Sequence, residues 1–140
     1  MKIRKVSYLV LCFVLFQSTL SAQQGWKIVP GKIATPWAEK VDPANVLAEY
    51  PRPQMVRKDW TNLNGIWEYS ILPKGESAIP ESTQGNILVP FAVESALSGV
   101  GKTVGKDSIL WYKKTITVPN SKNKNLLLHF GAVDWECTVF

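Results

Sequence analysis

The sequence predicts an all-β chain built as an antiparallel sandwich. Three observations carry that expectation: short runs of alternating apolar and polar residues, turn residues at even spacing between them, and an enrichment in aromatic side chains. Six tryptophans in 140 residues supply much of the aromatic material. No stretch has the apolar period of a long amphipathic helix, and no segment repeats.

The first strand signal is Asn64-Gly65, a tight-turn pair that launches Ile66 to Leu72. There Ile66, Glu68 and Ser70 alternate with Trp67, Tyr69 and Ile71, the period of a half-buried strand. Pro73 to Gly85 reads as a loop. Asn86 to Val89 is a short strand stopped by Pro90. One helical turn is expected at Val93 to Leu97, followed by a flexible connection through Gly99, Gly101 and Gly105. Ile109 to Val118 is the longest strand pattern: Leu110, Tyr112, Lys114, Ile116 and Val118 share one face, and Trp111, Lys113, Thr115 and Thr117 the other. Pro119 to Asn125 is a polar hairpin-type loop. Leu126 to Phe130 reads as an apolar strand, broken by Gly131-Ala132. In the last run Trp135, Cys137 and Val139 alternate with Glu136, Thr138 and Phe140. That run is still alternating at Phe140, which predicts a domain truncated at this point.

Ahead of the strands lie two other regions. Residues 1–22 read as a secretory signal peptide. Lys2, Arg4 and Lys5 form a positive start, Val6 to Phe16 is an apolar run of 11 residues, and Leu20-Ser21-Ala22 offers a cleavage site. The run is too short for a membrane span. Cleavage is expected after Ala22, with Ser21 as the competing position. Export to the periplasm or the extracellular space follows. Residues 23–58 read as an extended lead-in punctuated by Pro30, Pro36, Pro43, Pro51 and Pro53, with one helical turn at Pro43 to Ala48 capped by Asp42. The folded domain is then residues 59–140.

Export changes the charge and cysteine arguments. The full chain carries +5, but the loss of Lys2, Arg4 and Lys5 leaves 13 basic residues against 11 acidic ones. A net +2 gives no reason to expect nucleic acid or an anionic membrane as partner. Cys137 is the one cysteine beyond residue 22, so no internal disulfide is available to the exported chain. It reads as a small buried hydrophobe. His129 is the single histidine and forms no metal-ligand spacing with it, so neither metal nor cofactor is expected.

Several segments invite sharper readings. Ala96 to Thr103 (ALSGVGKT) nearly spells a phosphate-binding loop. Ala96 stands where that pattern needs glycine, and neither the preceding strand nor the following helix is indicated. It reads as a glycine-rich connector. Asp134 and Glu136 fall on one strand face roughly 7 Å apart, a common arrangement on exposed faces and no catalytic pair without a convergent pocket. Asp134 and Trp135 are the candidate carbohydrate contacts. An indole stacks on the apolar face of a pyranose, and a carboxylate accepts hydrogen bonds from its hydroxyls. Against this, a tryptophan on an alternating strand normally packs in the core, as is also expected of Trp60 and Trp67.

Four segments in order resemble one family. Arg52-Pro53-Gln54, Arg57, Trp60 and Leu63-Asn64-Gly65-Ile66-Trp67 resemble the opening of the N-terminal sugar-binding domain of glycoside hydrolase family 2. Val89-Pro90-Phe91 with Glu94-Ser95, then Leu110-Trp111-Tyr112-Lys113-Lys114 with Pro119, then Leu127 to Val139, resemble its later segments. The resemblance implies a jelly-roll, galactose-binding-like β-sandwich. It also implies immunoglobulin-like and (β/α)8 barrel domains in a larger parent that hydrolyses β-linked sugars, such as β-galactosides, β-glucuronides or β-mannosides. The family's two catalytic glutamates, about 5 Å apart, belong to the barrel, and no residue here takes their role. Two other readings are a stand-alone carbohydrate-binding module and an interaction domain of an exported assembly.

Overall fold

A computed structural model describes residues 25–49, 58–75, 79–118 and 125–140. The signal peptide, the Arg52-Pro53-Gln54 and Arg57 elements and most of the 119–125 loop lie outside those residues. The regular structure is a short 3-10 turn, Ala38–Lys40, and three strands: β1 (Gly65–Pro73), β2 (Gly85–Val89) and β3 (Ser108–Lys113). They form one antiparallel sheet in the order β2-β1-β3. The described chain is therefore β-rich, with a single small sheet.

Each strand is bounded by the residues that punctuate the sequence. Trp67, Tyr69 and Ile71 of β1 face a core of Tyr69, Ile87 and Val93, joined by Val89, Val100, Val104 and Leu110. Tyr69 pairs with Tyr112 and Ile71 with Leu110, so β3 contributes its matching face. Ile87 and Leu88 are fully buried, each burial worth about 1.5–3 kcal/mol. Just ahead of the start of β2, the side chain of Gln84 extends the ladder. Its Nε2 donates to the Ile71 carbonyl at 3.0 Å, and its Oε1 accepts from the Ile71 N–H at 3.2 Å.

Burial on β1 is not confined to one face. Ser70, on the side opposite the core, is 1% exposed and lies across from Trp111. Phe140 stacks on Trp111 there, with ring centroids 5.6 Å apart. The Ser70 Oγ and the Trp111 indole nitrogen are both buried without a hydrogen-bond partner.

The sheet's inner face is closed by the 90–104 connection, and residues 26–32 lie along that connection. The Trp26 indole N–H donates to the Leu97 carbonyl at 2.8 Å, Val29 N–H to Ala96 at 3.0 Å, and the Lys32 ammonium to Glu94 O at 2.9 Å. Glycine is required where this strap touches. Gly99 has φ +78°, and a Cβ there would stand 2.7 Å from the Trp26 ring. Gly101 has φ +66° and abuts Val29 and Lys32 in the same way.

Several expected elements are corrected. Neither Leu126–Phe130 nor the run through Trp135 and Val139 is a strand; residues 125–140 carry no regular structure and are exposed. Residues 125–140 form no ladder with the outer edge of β2 or β3, and alternation alone cannot make a strand without a hydrogen-bonding neighbour. Strand β3 ends at Lys113 rather than Val118. Beyond it the Lys114 ammonium reaches the Ile66 carbonyl at 3.2 Å. The helical turns expected at 43–48 and 93–97 are non-helical turns. Asp42 does cap the first of them, accepting from Ala44 N–H at 2.9 Å, but no helix propagates from it. Cys137 is exposed, not buried.

Candidate functional site

Asp134 and Trp135 lie in the irregular segment 125–140, joined by a cis peptide bond. Two aromatic contacts anchor this segment, one on Trp60 ahead of β1 and one on Trp111 of β3. His129 lies on Trp60 with centroids 5.3 Å apart and planes at 39°, and Phe140 stacks on Trp111 at 24°. Between these anchors Trp135 is 85% exposed. The core role expected for a tryptophan on an alternating strand is thus overturned, because there is no strand face to direct it inward. Trp60 and Trp67 are half-buried, and Trp67 packs on the core while its indole N–H donates to the Leu63 carbonyl at 2.8 Å.

The exposure of Trp135 decides what it can do. Its ring faces are open to an apolar surface of matching size, and the Asp134 carboxylate beside it is exposed as well. That combination suits a ligand with both C–H faces and hydroxyls. The i, i+2 strand geometry that would align Asp134 with Glu136 is absent, because residues 125–140 form no strand.

An open hollow of about 550 Å³ lies elsewhere, lined by Gly31, Lys32, Ile33, Ala92, Glu94, Ser95 and Ala96. It forms where the strap crosses the 90–104 connection. Its charged groups, Lys32 and Glu94, are 62 residues apart, so no local pattern announces them. Asp134 and Trp135 are not among its lining residues.

The ALSGVGKT segment is closed to phosphate for a reason visible in its hydrogen bonds. The Ser98 Oγ accepts from the Val100 N–H at 3.0 Å and the Gly101 N–H at 3.3 Å. It also lies 2.8 Å from the Ser95 carbonyl and 3.0 Å from that of Val93. A phosphate loop needs its amides pointing outward toward the anion. Here they are consumed internally.

A second polar cluster lies at the edge of the sheet. The Lys114 ammonium stands over the Trp67 ring at 5.5 Å, and Trp67 meets Tyr112 edge-on at 6.3 Å. Burial pushes the Lys114 pKa down, despite its carbonyl and ring contacts. Burial, then the nearby Glu94 carboxylate, pushes the Tyr112 phenol up. Among the described residues no group of three metal-ligating side chains is assembled. No helix among them is long and apolar enough to cross a membrane. No protein-family model matches the chain, and no curated protein matches it.

Proposed function

We propose that this chain is the sugar-binding β-domain of an exported β-glycosidase of the family 2 type, with catalysis residing in a separate barrel domain. Its complete fold would be a jelly-roll β-sandwich. The order of the four resembling segments supports this reading, and three of them coincide with sheet elements. Leu63 to Trp67 opens β1, Val89-Pro90 closes β2, and Leu110 to Lys113 lies in β3. The observation that carries the sugar-contact role is the exposed Trp135 ring beside Asp134. Trp135 would stack on a pyranose ring, and Asp134 would accept from its hydroxyls.

The test is saturation-transfer NMR with β-linked disaccharides at millimolar concentration. Transfer to sugar protons is expected, reduced at least about tenfold in Trp135→Ala and less in Asp134→Asn, since base stacking on an aromatic ring is worth about 1–3 kcal/mol in a comparable geometry. Transfer unchanged in Trp135→Ala would remove the assigned role. Chromogenic β-glycosides should not be turned over by this chain; clear turnover above blank would refute the assignment of catalysis elsewhere. N-terminal sequencing of the secreted product should begin at Gln23.

The same exposed tryptophan supports a second reading, a free-standing carbohydrate-binding module. Affinity separates the two. Micromolar binding by this chain alone favours the module, whereas a domain that completes its site against a barrel binds weakly by itself.

A further inference from the structure

We draw no further inference here: the strongest candidate, the run of exposed apolar side chains from Leu126 to Val139 alongside the Trp111 face of the sheet, carries nothing because nothing in the structure shows what covers it.

Discussion

Two buried serines make opposite contributions. Ser98 is fully buried; its hydroxyl accepts from the amides of Val100 and Gly101 and shares its one proton between the carbonyls of Ser95 and Val93. Removing it strands those groups in the interior, where each unpaired polar group costs about 1–3 kcal/mol. Ser70 is as buried, yet its hydroxyl has no partner. Removing an unsatisfied hydroxyl recovers its desolvation cost and leaves only a small void. Ser98→Ala should therefore lower stability by about 2–4 kcal/mol, and Ser70→Ala should be neutral or stabilising by up to about 1 kcal/mol. Urea melts with unchanged slope measure both. Equal destabilisation by the two substitutions would contradict the hydrogen-bond assignments. By sequence the Gly99-Val100-Gly101 stretch reads as a flexible glycine-rich connector, whereas in the fold its glycines have a specific neighbour. Glycine there accommodates Trp26, some 70 residues away, and local pattern carries no trace of that contact.

At the scale of the elements, β3 and the residue just past it carry opposing titrations. Lys114 binds its proton less tightly in the folded chain than in the unfolded one, so stability rises with pH in the window below its ordinary value of 10.5. Tyr112 holds its proton more tightly when folded. Its contribution is intact below 10.0 and is lost as pH climbs above that value. Tyr112→Phe should abolish the alkaline loss, and Lys114→Met should flatten the rise that precedes it; chemical melts from pH 8 to 11.5 read both. The strands also differ from the C-terminal segment in protection. Strand β1 is paired on both sides, while residues 125–140 have no ladder. Amide exchange should be slowed at least about a thousandfold for Tyr69 to Ile71 and scarcely at all for residues 126–139. Comparable protection in both would mean that the C-terminal segment pairs after all. The strands were legible because local marks bound them: Asn64-Gly65 before β1, Pro90 after β2, and β-branched and aromatic alternation within. The run from Trp135 to Phe140 alternates in the same way. What it lacks is a neighbour, which no local pattern can supply.

For the whole molecule, the exposed apolar surface is the dominant physical property. Leu126, Leu127, Leu128, Phe130, Val133, Trp135, Val139 and Phe140 all stand open within a single 15-residue stretch, Leu127 at 70% exposure. Monomeric proteins seldom present contiguous apolar patches beyond a few hundred Å². The purified chain should bind a hydrophobic dye such as ANS and sediment as more than a monomer at micromolar concentration. Replacing Leu126 and Leu128 with lysine should reduce both effects together. A dye-negative monomer of the unsubstituted chain would show that this surface is covered in solution. Among the described residues the main core cluster sits on one three-stranded sheet and its connection, which leaves little stability to spare against such exposure.

By itself the sequence determined that the folded part would be β-rich and where three strands would start, near Ile66, Asn86 and Ile109; it equally predicted strands over residues 126–130 and 135–140, which do not form. Those are local matters, set by side-chain period, turn residues and proline. Tertiary structure alone decided which of the possible strands found a partner. It also decided that the glycine-rich connector would pack against Trp26, and that Trp135 would face solvent instead of a core. Each of those outcomes depends on which groups meet across long separations, because hydrogen-bond ladders and buried contacts exist only between partners.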